Sequence, residues 1–352
     1  MNLEAHLSSD TMAKVFQDAR CVKLFDEWTT RTKAPNPQMG ADGQGSQFLL
    51  ETYDQFETVE RQFDVQVGSG GYLYLVWRSS REEVTLRVSG FVSQMSLLPP
   101  FRRSFRLPRG NPNLALQTVV VAGDGPAFRR AITARSNILR FMEMHARRGT
   151  TSVIDDVWLG AMPCFIAETR VLTPMVEAPL FDSADLNMVI DPYSALAELV
   201  AGGRLSWTSD NVVSCMELKG EYDDRWSTPV QSSLDMVRAG ELVELSVNFR
   251  LREHVSPNGA NVGRKFLTRL DTVMIVSRLG MKLIADCESE HLSMMRIAAA
   301  ADNTGGGKAP KKRRFSYLQS VPSVLTSTEQ HLNSLTVLDK TDDVDQVMKP
   351  VG

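Results

Sequence analysis

Ten arginines fall between Phe101 and Arg148: Arg102, Arg103, Arg106, Arg109, Arg129, Arg130, Arg135, Arg140, Arg147 and Arg148. Only Asp124 and Glu143 oppose them and no lysine stands among them, so the stretch carries +8 in a chain whose net charge is −3. A guanidinium presents a planar fork that matches two phosphate oxygens at once, and no physiological pH removes its charge. Arginine concentrated in this way suits a phosphate backbone or another polyanion. Arg102, Arg103, Arg106, Arg109, Arg129, Arg130, Arg140, Arg147 and Arg148 are therefore the candidate nucleic-acid-binding residues. The competing readings are a solvated face that complements acidic surface elsewhere in the same chain, and a contact for an acidic protein partner.

A second cationic group follows three glycines at 305–307 and comprises Lys308, Lys311, Lys312, Arg313 and Arg314. Short clusters of this kind are read by nuclear import receptors or by polyanions. It bears on address and partner rather than on chemistry.

Groups that could catalyse are present but not arranged. The histidines His6, His145, His254, His291 and His331 have no metal-ligand spacing. The pairs Asp155-Asp156, Asp223-Asp224 and Asp342-Asp343 could hold a divalent ion in a hydrolase or nuclease, yet such pairs are commoner at turns and strand ends. Cys21, Cys164, Cys215 and Cys287 lie far apart with no Cys-x-x-Cys pair, which reads as free thiols in a reducing compartment. No Gly-x-Ser-x-Gly elbow, Walker loop or dinucleotide fingerprint occurs. The expectation is a non-enzyme without metal or cofactor.

Elements must position the arginines. Apolar residues at helical spacing predict a helix over 9–28, and the prolines at 35 and 37 exclude its continuation. A glycine-rich linker follows at 40–46. From Phe48 the period moves toward two, with clean alternation at the end of 56–67 and a glycine turn at 68–71. Strands 72–77 and 84–88 follow through short connections, which predicts an antiparallel meander. Further strands are expected at 116–121, 158–172, 204–218, 242–251, 272–276 and 282–287. Helices are expected at 126–148, 194–200 and 232–238, the first opened by Asp124 and Pro126 and stopped by Gly149.

On a helical wheel, 126–148 separates Phe128, Ala131, Ile132, Ile138, Leu139, Met142 and Ala146 from Arg129, Arg130, Arg140, Arg147 and Arg148. Arg135 breaks the pattern by pointing into the apolar arc. Aromatic residues gather at Phe48, Tyr53, Phe56, Phe63, Tyr72, Tyr74, Trp77 and Phe91. Exposed beside arginine they would form a stacking platform for single-stranded bases. Strand 72–77, however, is apolar on both faces, as in the centre of a buried sheet.

The predicted fold class is α+β and β-rich: an antiparallel β-sandwich or jelly-roll-like body with one long inserted basic helix and an N-terminal helix. Residues 1–46 form the helical arm or cap and its linker, 47–303 the body with a subdomain junction near 150–200, and 304–352 a basic and acidic tail. Neither a signal peptide nor an apolar run of membrane-spanning length (about 20 residues) occurs, which predicts a soluble intracellular protein of nucleus, cytoplasm or virion. Absence of a catalytic set, large sheets, an N-terminal arm and a polar tail together suit a structural or assembly protein associated with nucleic acid, such as a virus capsid or nucleoprotein component. Its partners would be copies of itself, nucleic acid and an import receptor, with no membrane. A nuclear DNA-binding accessory factor of replication or transcription, clamp-like in use, is the alternative, and a metal-dependent hydrolase or nuclease the third reading.

Overall fold

In the computed structural model the described residues are 9–33, 46–68, 71–98, 115–146, 150–152, 156–219, 229–255 and 262–303. The chain divides into a unit at 1–294 and a second at 295–352, and the architecture below belongs to the first. In chain order the elements are α1 (Ser9–Phe16), α2 (Ala19–Lys33), α3 (Phe56–Gln62), β1 (Phe63–Val67), β2 (Tyr72–Trp77), β3 (Thr85–Ser96), β4 (Leu116–Ala122), α4 (Pro126–His145), β5 (Thr150–Ser152), β6 (Trp158–Leu159), β7 (Met162–Arg170), β8 (Thr173–Pro174), α5 (Ala195–Ala201), β9 (Leu205–Ser206), β10 (Ser214–Leu218), β11 (Pro229–Gln231), β12 (Leu242–Val255), β13 (Val262–Ser277) and α6 (Leu279–Asn303).

Five strands pair in a ring. The first half of β3 pairs antiparallel with β12, and its second half pairs antiparallel with β4. β4 pairs antiparallel with β7, β7 meets β13 in parallel at Glu168 and Arg269, and β13 returns antiparallel to β12. A register slip between Val92 and Gln94 marks the bulge at which β3 turns from one partner to the other. Gly90 sits just before it because there is no room for a side chain: a Cβ there would lie 2.9 Å from that of Val121 and 3.0 Å from the Phe128 ring.

Alternation decides what each strand buries. In β12, Leu245, Val247, Phe249 and Leu251 are fully buried in the main core, while Glu244, Asn248 and Arg250 point the other way. In β13 a second slip, opposite Ser246/Val247, lets Phe266 and Leu270 share the core with Val273 and Ile275 despite the change of parity. Around the ring, β1 and β2 extend β12 on one side, and β10 and β11 extend β13 on the other.

The class is thus α+β and β-rich, with a large mixed sheet. The pairing is a closed ring with extensions, and two face-packed layers of the expected sandwich are not evident in it. The predicted meander is corrected in part. β1 and β2 pair antiparallel, but β2 and β3 lie end to end along the same edge of β12, and the turn between them is held to β2 by the Val76–Glu83 bridge and by the Val84 N–H donating to the Leu75 carbonyl at 2.9 Å.

Other segments also differ from expectation. The N-terminal helix breaks at Gln17-Asp18, where the Asp18 carboxylate accepts the Arg20 main-chain N–H at 2.8 Å and starts a second helix. Phe16 stacks on Phe91 at 5.1 Å, so this region caps the barrel. Residues 56–62 are helical, and alternation begins only at Phe63. Residues 282–287 are helical too: Leu283 and Ile284 are buried side by side and the flanking positions are not, a helix face rather than a strand face.

A small lobe, residues 171–212, carries its own apolar core of Val171, Leu172, Leu196, Leu205 and Trp207. Leu98 and Ala115 join that core from the barrel side, so both ends of the connection between β3 and β4 are buried against the lobe. No helix among the described residues is long and apolar enough to cross a membrane.

Candidate nucleic-acid interface

α4 is positioned by the face the wheel assigned to the core. Ala127, Phe128, Ala131, Ala134, Ile138, Phe141 and Met142 are buried. The opposite face carries the arginines, and in the free protein each has a local partner. Arg129 pairs with Asp124, Arg130 lies 3.5 Å from Glu51 and 4.0 Å from Asp54, and Arg140 stacks 4.6 Å above the Phe56 ring. Arg129 remains more than half exposed. These are surface pairs worth roughly 0–1 kcal/mol each, weak enough for a phosphate to replace the carboxylate. Arg135, the exception on the wheel, is half-buried, stacking 5.9 Å over Phe165 while its Nη2 reaches Asp156 at 2.7 Å.

Arg102, Arg103, Arg106 and Arg109, together with Arg147 and Arg148, lie outside the described residues, as do Lys308, Lys311, Lys312, Arg313 and Arg314. The connectivity is nonetheless informative. The first four belong to the connection between β3 and β4, whose two ends are held at Leu98 and Ala115. The Gln117 side chain ties that anchorage to the lobe by donating to the Asn211 carbonyl at 2.8 Å.

Sequence reasoning missed a second set of arginines. Arg170 ends β7, Arg250 and Arg252 lie on β12, and Arg269 lies on β13. They converge on Asp210 and Glu177 of the lobe. Asp210 Oδ1 accepts Arg250 Nη1 at 2.5 Å and Arg269 Nε at 2.9 Å, and its Oδ2 accepts Arg170 Nε at 3.1 Å. Glu177 Oε2 accepts Arg170 Nη1 at 2.8 Å and the Tyr72 hydroxyl at 3.0 Å, and its Oε1 pairs with Arg252. Arg250 also forks onto Glu83 at 2.6 and 2.9 Å.

Aromatic rings interleave with these cations. Arg250 lies 5.0 Å from the Tyr74 ring centre, Arg252 5.7 Å from Tyr72, and Arg170 5.4 Å from Phe181 of the lobe. Burial would raise the Asp210 carboxyl, but Arg250, Arg269 and Arg170 outweigh it and hold the group below the ordinary carboxylate range. Burial pushes the Tyr72 hydroxyl up to about 12, so it stays a neutral donor. One sequence signal was available: Asn248, Arg250 and Arg252 alternate with Phe249 and Leu251, a polar face opposite a core face. That the polar face would be covered is a tertiary fact with no local trace.

Among the described residues no group of three His, Cys, Asp or Glu side chains could hold a metal ion. Asp156 is engaged by Arg135, and Asp155, Asp223, Asp224, Asp342 and Asp343 lie outside the described residues. Cys21, Cys164 and Cys215 are buried free thiols, each pushed up to about 11 by burial, and Cys287 is free and exposed.

The chain matches no protein-family model. No curated protein shows significant similarity to it.

Proposed function

We propose that the protein is a non-enzymatic structural or assembly protein that binds single-stranded nucleic acid through its arginines. The observation that carries this reading is where the arginine-rich connection stands in the strand order. Counting β3, β4, β7, β12 and β13 as strands one to five, the ring places strand four beside strand one and runs on through two and three, a Greek key closed by strand five. A five-stranded Greek-key barrel is the architecture of oligonucleotide-binding barrels, in which the connection between strands one and two contributes to the binding surface. Here that connection carries Arg102, Arg103, Arg106 and Arg109 with Phe101 and Phe105, cations interleaved with stacking rings. Fold-level analogy does not fix function, so the charge and aromatic content of this one connection bear the weight. Arg129, Arg130 and Arg140 of α4 would add contacts, and Lys308 to Arg314 would serve import or a further grip on the polyanion.

The test is affinity for a labelled single-stranded oligonucleotide as salt is varied. Neutralised phosphates release counterions, so the logarithm of the association constant should fall linearly with the logarithm of salt concentration. Replacing Arg102, Arg103, Arg106 and Arg109 by glutamine should reduce that slope by roughly 3, at about 0.7 for each lost phosphate contact. Binding that is absent at low salt, or unchanged by the four substitutions, overturns the reading.

A further inference from the structure

Considered without the lobe, the barrel presents Arg170, Arg250, Arg252 and Arg269 with Tyr72 and Tyr74, and among the described residues it supplies them with two carboxylates of its own, Glu83 and Asp271. The remaining anionic partners come from the lobe. Reading across the contact, the lobe inserts the Glu177 carboxylate, the Phe181 ring and the Asp210 carboxylate. Phe181 lies 5.4 Å from the Arg170 guanidinium and 6.0 Å from that of Arg250, and meets the Tyr72 ring edge-on at 6.2 Å. Two carboxylates held by guanidinium groups, with a flat ring packed against two of the same cations, are the kinds of group that the phosphates and a base of a single strand would present.

The contact is not equally closed along its length. Asp210 and Arg250 are almost fully buried, whereas the Arg252 side chain is 39% exposed beside Glu177. The solvent-facing end of the contact is therefore the one at Glu177. At the two ends of segment 177–182 main-chain bonds tie it to the lobe: the Glu177 N–H donates to the Pro174 carbonyl at 2.8 Å, and the Ser209 N–H to the Asp182 carbonyl at 2.8 Å beside the Ser183–Thr208 bridge.

We propose that this arginine–tyrosine face is a single-stranded nucleic-acid site, occupied in the free protein by the lobe, with Glu177 and Phe181 standing in for phosphate and base. The proposal rests on the nucleic-acid reading above and locates a second surface for it, distinct from the connection between β3 and β4. Docking of segment 177–182 and binding of the strand exclude one another, so that segment sets the threshold for binding.

Fluorescence anisotropy with a fluorescein-labelled oligodeoxythymidylate tests this on the full chain. The variant Glu177→Gln/Phe181→Ala should bind about ten-fold more tightly than wild type, the scale expected for removing one competing charge-assisted contact. Adding Arg252→Glu to that variant should abolish the gain. A folded double variant with wild-type affinity, or a gain that survives Arg252→Glu, overturns the proposal. A readout on the unaltered protein guards against misfolding of the variants. Saturating oligonucleotide should speed hydrogen exchange at the Ser209 amide as segment 177–182 lifts away, and slowed or unchanged exchange there counts against displacement. Wild-type binding that depends on Arg102 to Arg109 with no gain in the variant removes this proposal alone. Failure of every form to bind at low salt removes both readings.

Discussion

Glu244 shows how a single buried charge leaves a measurable mark. Its side chain is 3% exposed, with Arg87 Nη1 3.2 Å from one oxygen and α2 lying over it through the Trp28–Ser89 hydrogen bond. Burial raises its carboxyl above the ordinary range, and the Arg87 charge offsets only part of that. The native state therefore holds this proton more tightly than the unfolded chain does. Its contribution to stability is complete below the unfolded value, about 4.3, and is lost as pH rises through the folded value. Glu241, raised by burial as well, acts in the same sense. Asp210 acts in the opposite one: its contribution persists at neutral pH and fades only as pH falls below the ordinary carboxylate range. Glu244→Gln removes the ionisation while keeping the shape. Urea midpoints of wild type and variant, measured at pH 4.5 and pH 8, should show the variant gaining on wild type at the higher pH. A difference between the two proteins that does not change with pH would refute the assignment.

At the scale of elements, α4 and β3 are locked together through one ring. Phe128 sits in a cradle of two glycines: a Cβ on Gly123 would lie 2.8 Å from the ring, and one on Gly90 3.0 Å from it. The ring is 1% exposed. Phe128→Ala should cost about 3–5 kcal/mol, measured by urea unfolding, because the rigid glycine cradle cannot collapse onto the void. A loss below about 1 kcal/mol would mean that the site repacks. α4 itself was legible in the sequence, since Pro126 and an apolar face at i, i+3, i+4 and i+7 are local signals. The strand 72–77 was legible as a central strand for the same kind of reason, being apolar on both faces, and it does lie between β1 and β12. The ring was not legible. It depends on β12 pairing with β2 and β3, and on β13 meeting β7, across separations of about a hundred residues or more, and no alternation pattern specifies a partner. The helix at 56–62 carried a local signal, Phe56, Val59 and Phe63 at i, i+3 and i+7, but the clean alternation of Phe63, Val65 and Val67 that follows it without a break masked the change of period. The buried arginines were hidden because a guanidinium reads as surface until its carboxylates, contributed from residues 83, 177 and 210, are brought to it.

For the whole molecule, an assembly role requires a surface through which copies meet, and the lobe offers one. Met175, Val176, Met188, Val189 and Tyr193 are large apolar side chains exposed within a single short stretch, Val176 at 87% and Met188 at 81%. Exposed apolar residues scattered singly are ordinary, but five on one small lobe stand out against a body whose other large apolar side chains are mostly in the core. Self-association through the lobe would also press it onto the arginine–tyrosine face, coupling assembly to the state of that site. Light scattering on the size-excluded protein should show mass rising with concentration. Val176→Asp/Val189→Asp should return it toward the 39.2 kDa of one chain without changing the unfolding midpoint, since both positions are already in water. A strict monomer at all concentrations would leave nucleic-acid binding standing and remove assembly. If oligonucleotide shifts the mass distribution of the wild type but not of this variant, the lobe is the element through which binding and self-association communicate.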